Sequence, residues 1–298
     1  MSIRYLSLFS GIGGFEVGIQ KVFPQAHCVG FSEISPECIK VYQQHFPNHV
    51  NLGPVQQIDG RQMKIDLLVG GSPCQDLSST NVKTRWGKRV AGGLKGNKSG
   101  LFYEFVRLLH ETKPKYFILE NVGSMKNSDR DKISEILGVS PMSINTRLFA
   151  PQNRTRLFWT NIQVHFNEEK FQKLPHLPQI LISPEKSREW IVNPSASKIY
   201  QTYKAKMAKY GSMLRMAVVD SESEYSPALL SGRVMWIDDK RIGKFRKMAP
   251  VEAERLQTFP EMWTAVLSYT NRFKVLGNAV TCDVISYIVA QIVIANKK

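Results

Sequence analysis

The chain has 298 residues, enough for one large domain or for a large and a small one. A hydrophobic share of 43% fills a substantial core and excludes wholesale disorder. Forty Lys and Arg against twenty-five Asp and Glu leave a net charge of +15, which favours a polyanionic partner over a basic or neutral one.

In chain order, Ile3 to Phe9 reads as a buried strand, Ser10-Gly11-Ile12-Gly13-Gly14 as a turn and Phe15 to Val22 as a helix. Cys28 to Ser32 is a second strand. Pro36 to His45 is a second helix, with proline at its start, where the missing N–H costs nothing. Leu67 to Gly71 is a strand, Leu101 to Glu111 an amphipathic helix, and Tyr116 to Leu119 a strand leading into Glu120-Asn121-Val122. Strands alternating with helices predict an α/β fold, a doubly wound and mainly parallel sheet. Met142 to Phe149 and Thr155 to Ile162 then read as an antiparallel hairpin on the sheet edge. From about His165 to Phe245 periodicity fades among prolines, basic residues and aromatics, which predicts a separate small domain. Helices are expected over Pro250–Leu256 and Asp283–Ala295.

The longest apolar stretch, Ile285 to Ala295, is too short to span a bilayer, and the N-terminus does not read as a signal peptide. Cys28, Cys38, Cys74 and Cys282 are widely spaced without a C-x-x-C pair, so neither a disulfide framework nor a zinc site is indicated. Basic residues cluster: six lie between Lys83 and Lys98 with no acidic residue, seven between Lys186 and Arg215 against Glu189 alone, and five between Lys240 and Lys247. Such clusters predict a nucleic-acid partner.

Three constellations carry chemistry. The glycine turn after the first strand lets backbone approach a ligand at a helix N-terminus. Glu33, about twenty residues on, ends the next strand, where a carboxylate binds ribose hydroxyls. Turn plus acid leaves open a dinucleotide or a nucleoside sulfonium. Cys74 and Glu120 both follow apolar strands and should share one edge of the sheet as nucleophile and acid. Arg154 and Arg156, two apart at a strand start, should point to one face and hold a carboxylate, a phosphate or a base carbonyl.

With these residues the chain resembles the DNA (cytosine-5) methyltransferase family from about residue 4 to residue 290. The motifs in family order are Leu8 to Phe15, Glu33, Pro73-Cys74-Gln75, Glu120-Asn121-Val122, Gln152-x-Arg154-x-Arg156, Glu252-x-x-Arg255-Leu256-x-x-Phe259-Pro260 and Gly277-Asn278-x-Val280. The resemblance implies a Rossmann-like methyltransferase fold and S-adenosylmethionine as cofactor. It implies double-stranded DNA as partner, with neither metal nor membrane, in a monomer. Residues 1–165, completed by 263–298, would be catalytic, and 166–262 would recognise the target.

The roles follow the same resemblance. Cys74 would attack cytosine C6, Glu120 would hydrogen-bond or protonate N3, and Arg156 would face the cytosine O2, supported by Arg154. Phe9, Gly11, Ile12, Gly13, Gly14, Glu33, Ile34, Val55, Pro73, Leu101, Asn278 and Val280 would surround the cofactor. Gln75, Ser78, Lys83, Arg85, Lys88 and Arg89 would meet DNA, the Ser78–Ser99 segment as a closing loop. The base would have to leave the duplex stack. One departure concerns the third motif: Pro54, not the family's aspartate, follows Gly53. An RNA (tRNA) cytosine-5 methyltransferase and a catalytically silent DNA-binding paralogue are the alternatives. A modification enzyme of a prokaryote or virus, cytoplasmic and nucleoid-associated in a prokaryote, is the expected setting.

Overall fold

The computed structural model describes residues 2–73, 99–166, 176–192, 200–202, 205 and 218–295. Contacts group the chain into two compact units: Met1–Asn145, Thr155–Asn167 and Cys282–Lys298 form one, and Thr146–Arg154 with Glu168–Thr281 the other.

The first unit is built on β1 (Arg4–Leu8), β2 (His27–Ser32), β3 (Leu67–Gly71), β4 (Tyr116–Val122), β5 (Met142–Asn145) and β7 (Thr155–Thr160). The strand order is β2-β1-β3-β4-β7-β5. The first four strands run parallel, and β7 is antiparallel to both β4 and β5. This is the expected α/β class, with the antiparallel pair ending on β5 at the edge. The order reverses at β1, between β2 and β3, the switch at which open α/β sheets bind ligands beyond their carboxyl ends.

Alternation along the strands explains the layers. Leu6, Leu8, Leu68, Phe117, Leu119, Leu157 and Trp159 pack with Phe102, Phe105 and Leu108 of α3 (Phe102–Thr112) and Ile133 of α4 (Asn127–Leu137). Trp159 donates its indole N–H to Ser134 at 2.9 Å, tying α4 to β7. On the opposite side of β1, Tyr5 and Ser7 are buried with Glu16 of α1 (Gly14–Val22) and Tyr42 of α2 (Pro36–His45). Tyr42 stacks on Phe31 of β2 and donates to Glu16 at 3.0 Å.

Helix α9 (Cys282–Ala295) buries Val284, Ile285, Ile288, Val289 and Ile292, and Ser286 donates to the Gly18 carbonyl of α1 at 3.1 Å. The 27-residue run Tyr269–Ala295 is apolar enough to cross a membrane by length and composition, but 50% of its most apolar window is buried. Ala279, extended at φ −68° and ψ 153°, breaks it into two helices.

The second unit holds a three-stranded sheet of β8 (Val218–Asp220), β10 (Trp236–Asp239) and β11 (Lys244–Lys247), in the order β11-β10-β8. A two-stranded parallel pair joins β6 (Gln152–Asn153) and β9 (Ser226–Pro227). Its helices include α5 (Leu177–Ile180), α6 (Pro184–Ser187), α7 (Pro250–Leu256) and α8 (Tyr269–Asn278).

A buried ion cluster organises this unit. Arg246, 0% exposed, donates to Asp239 at 2.7 Å and to both Glu252 oxygens at 2.9 and 2.7 Å. Glu252 also accepts the N–H groups of Ala249 and Ile182. Arg241 pairs with Asp239 and Lys240 with Asp238. The basic run Lys240–Lys247, read in the sequence as part of a nucleic-acid stripe, is therefore largely neutralised within its own unit. Its partners come from β10 and α7, beyond the window in which the charge was counted.

Candidate active site

The carboxyl ends of β1 to β4 bring together most of the first-unit residues singled out in the sequence. The turn after β1 is unusual backbone. Phe9, Gly11 and Gly13 all take positive φ, at 54°, 55° and 87°. A bulky residue such as Phe9 rarely adopts that region, and where it does a functional constraint is the common reason. Gly11 donates its N–H to a Glu33 oxygen at 2.9 Å, and the other Glu33 oxygen accepts the N–H groups of Ile34 and Ser35 at 2.8 Å each. Turn and acid are thus one assembly, as the spacing predicted. Ile34 beside it is 68% exposed, an apolar surface at the rim.

The third wall is the segment after β2. Asn51 accepts the Gly53 N–H at 3.0 Å and donates to the Glu33 carbonyl, while Ser32 donates to the Gly53 carbonyl at 2.7 Å. Gly53 sits at φ 75°. A Cβ built at Gly53 or at Gly11 would meet nothing within 4 Å, so the two glycines border open space rather than packed core. Val55 is buried in the α3-side core, against which Leu101 packs. Asp59, five residues beyond Pro54, lies in solvent and is bonded to Arg61. Those bonds lower its pKa to about 2.

Beyond β3 lies Pro73, the last described residue before the thiol. Cys74, Gln75, Ser78, Lys83, Arg85, Lys88 and Arg89 lie outside the described residues. Ser72, at the end of the described segment, is held by β4. Asn121, 1% exposed on β4, donates to the carbonyl and hydroxyl of Ser72 at 3.2 and 3.0 Å. Sequence reasoning gave Asn121 no task of its own. A buried amide in an otherwise apolar strand was the available signal, because such a group must find partners.

Glu120 stands opposite Gly71 in the β3–β4 register. Arg156 stands opposite Val122 in the β4–β7 register, a diagonal step from Glu120. Their side chains meet, Arg156 Nε to Glu120 Oε1 at 2.9 Å, with 18% and 13% of each side chain exposed. The strand register joins two residues that the sequence had placed in separate motifs.

Arg154 behaves differently. Its i, i+2 spacing from Arg156 suggested a common face, yet the two belong to different compact units. Buried to 2%, Arg154 donates to the carbonyls of Leu229, Gly277 and Ala279 at 2.8, 3.0 and 3.0 Å. It braces the turn that carries Asn278 and Val280 in the second unit. The sharing of one ligand expected of the two arginines is corrected accordingly: backbone carbonyls occupy this guanidinium. Gln152 is likewise structural, donating to the Leu256 carbonyl and accepting the Leu229 N–H at 2.8 Å each.

This edge belongs to an α/β fold and carries a glycine turn bonded to Glu33, two glycines that border open space, and an arginine–carboxylate pair. Solved structures share the fold. A methyltransferase of Entamoeba histolytica, EhMeth, superposes with a TM-score of 0.74 at 15% identity, covering 100% of both chains. The Dnmt2 methyltransferase of S. pombe gives 0.66 at 16%, covering 99% of this chain and 100% of that one. Among curated relatives, the Type II methyltransferase M.NlaX of Neisseria lactamica is 25% identical over 97% of this chain and 95% of its own length. M1.ScrFI of Lactococcus lactis is 28% identical over 95% of this chain and 76% of its own. The family model for C-5 cytosine-specific DNA methylase matches residues 3–294, and the chain belongs to that family as a DNA (cytosine-5) methyltransferase.

Proposed function

We propose that the protein methylates C5 of an extruded cytosine in a specific duplex DNA sequence through a covalent bond between Cys74 and C6. The observation that carries this reading is the Glu120–Arg156 pair, at 2.9 Å, with Glu120 on the strand next to β3, whose end leads into Cys74 in the sequence. Cytosine C5 is too weak a nucleophile to take a methyl group unaided. Addition of a thiolate at C6 makes C5 the β-carbon of an enamine, and cysteine is the side chain best suited to that addition near neutral pH.

Glu120 hydrogen-bonds or protonates N3, where addition at C6 builds electron density. Arg156 orients Glu120 and presents a guanidinium to the O2 side of the ring. Methylation at C5 is followed by loss of the C5 proton to a base and departure of the Cys74 thiolate, which restores the aromatic ring. Attack at C6 comes from above the ring plane, so the base must first leave the stack, at a cost of a few kcal/mol.

The residues of the recess fit S-adenosylmethionine. Gly11 and Gly53 border open space, Glu33 is an ionisable acceptor held for ribose hydroxyls, and Ile34 offers an apolar face. When bound, that cofactor supplies an electrophilic methyl group. Phe9, Ile12, Gly13, Gly14, Val55, Pro73 and Leu101 complete the first-unit set. Residues 166–262 act in target recognition. Lys83, Arg85, Lys88 and Arg89 neutralise phosphates, so replacing all four by alanine lowers the slope of log affinity against log salt by about 3.6.

Expression in a methylation-free host followed by bisulfite sequencing tests the reading. Modified cytosines in one short sequence context are expected. Unmodified DNA from soluble protein contradicts it, and modification of tRNA alone redirects it to RNA.

A further inference from the structure

We infer that Arg107 is a positioning residue for the cofactor recess, clasping the Val55 turn to helix α3; this rests on the cofactor reading given above. The segment from Leu52 to Gly60 is tied at its first end to β2, through Ser32 and Asn51. At its other end Arg107 and Glu111 of α3 hold it. Arg107 donates to the Val55 carbonyl at 3.1 Å and to the Ile58 carbonyl at 2.9 Å, spanning both ends of the tight turn Val55–Gln57. The same guanidinium is gripped from its own helix by Glu104 at 2.8 Å and Glu111 at 2.9 Å. Glu111 in turn accepts the Gly60 N–H at 2.8 Å.

Gly60 approaches α3 closely, since a Cβ there would lie 2.9 Å from Thr112, 3.0 Å from Leu108 and 3.1 Å from Glu111. The clasp is a backbone-reading device. Arginine's fork can bond two carbonyls and two carboxylates at once, which an ammonium point charge cannot do. Its partners raise the Arg107 pKa in spite of desolvation.

What the clasp fixes is the nucleoside wall. Between its two anchored carbonyls lies Pro54, and Gly53 beside it borders open space next to the Asn51–Glu33 bond, while Val55 turns into the core. Helix α3 begins immediately after Leu101, which packs against the core cluster containing Val55. Arg107 therefore sets the distance between two parts of the recess without belonging to its lining. Pro54 carries no side-chain acceptor, so the shape of this wall depends on its backbone being held.

The test is isothermal titration of S-adenosylhomocysteine into the parent, R107A, R107K and E111Q at 25 °C, with S134A as a control that breaks the Trp159 bond elsewhere in the same unit. Arg107→Ala is expected to weaken binding about tenfold (about 1.4 kcal/mol), Arg107→Lys to recover only part of that, and Glu111→Gln to weaken it about threefold. S134A should leave the dissociation constant within twofold even where its melting temperature falls as far as that of R107A. In turnover, KM for the cofactor rises in R107A while kcat stays within twofold. Binding by R107A within twofold of the parent overturns the clasp, as does an equal loss in S134A. Should R107A not fold, unchanged binding by E111Q overturns it. A parent that binds no S-adenosylhomocysteine sinks the cofactor reading and the clasp together, an outcome distinguishable from the others.

Discussion

Two arginine–carboxylate clusters in this molecule have similar chemistry and different surroundings. In the second unit Arg246, Asp239 and Glu252 are 0% exposed, and Arg246 donates to both oxygens of Glu252 and to Asp239. In the first unit Arg156 Nε meets Glu120 at 2.9 Å, and each keeps part of its side chain exposed at the carboxyl edge of the sheet. A buried and densely bonded cluster fixes a fold, because every charge in it depends on the others. A partly exposed pair at a strand end can exchange partners with a substrate. The sequence presents both as charged residues in motifs, and only burial and coordination tell them apart.

The largest expected effect breaks the first cluster. R246M leaves Glu252 buried without its cation and Asp239 with Arg241 alone, and should cost about 3–5 kcal/mol in denaturant unfolding. A loss below about 1 kcal/mol would show that the cluster is not structural. E120A tests the other side: kcat should fall about 10²-fold or more, with the melting temperature within about 2 °C of the parent. Equal losses of stability in the two variants would erase the distinction.

A third buried acid sharpens it. Burial pushes Glu16 up to about 7 from an ordinary 4.5, against the hydrogen bond from Tyr42 that pulls it down. With the folded value raised, its contribution to stability is fully present below about pH 4.5 and is lost as pH rises to about 7. Relative to E16Q, the parent should therefore lose about 3 kcal/mol across that window. Parallel stability curves for the two proteins would refute it. The smallest effect belongs to the exposed pair Lys132–Glu135, at 50% and 70% exposure, where K132A should change stability by less than about 0.5 kcal/mol.

Much of the first unit was legible in the sequence, because its strands are short apolar runs bounded by glycine, proline or a charge. The limits of α2, β3 and α7 agree with the expectation to the residue. Helix α4 was missed because Ile133 is its one buried position, so it shows little apolar periodicity. Strand β4 runs three residues past its apolar part, since Glu120 and Asn121 are polar yet paired in the ladder. Helix α8 is masked by Asn271, Arg272 and Lys274. Arg107 could not be found from sequence, because it reads as a solvated helix residue and the carbonyls it holds are 49 and 52 positions away. The separation of Arg154 from Arg156 has the same cause: long-range carbonyl partners override a two-residue spacing.

The most direct measurement is covalent capture on a DNA duplex carrying 5-fluorocytosine within the recognised sequence, in the presence of S-adenosylmethionine. Fluorine at C5 cannot leave as a proton does, so the bond to sulfur persists and the adduct survives denaturing electrophoresis. The parent chain should form the adduct, and C74S should form none. Absence of any adduct from an active parent, or equal capture by C74S, would contradict the proposed chemistry.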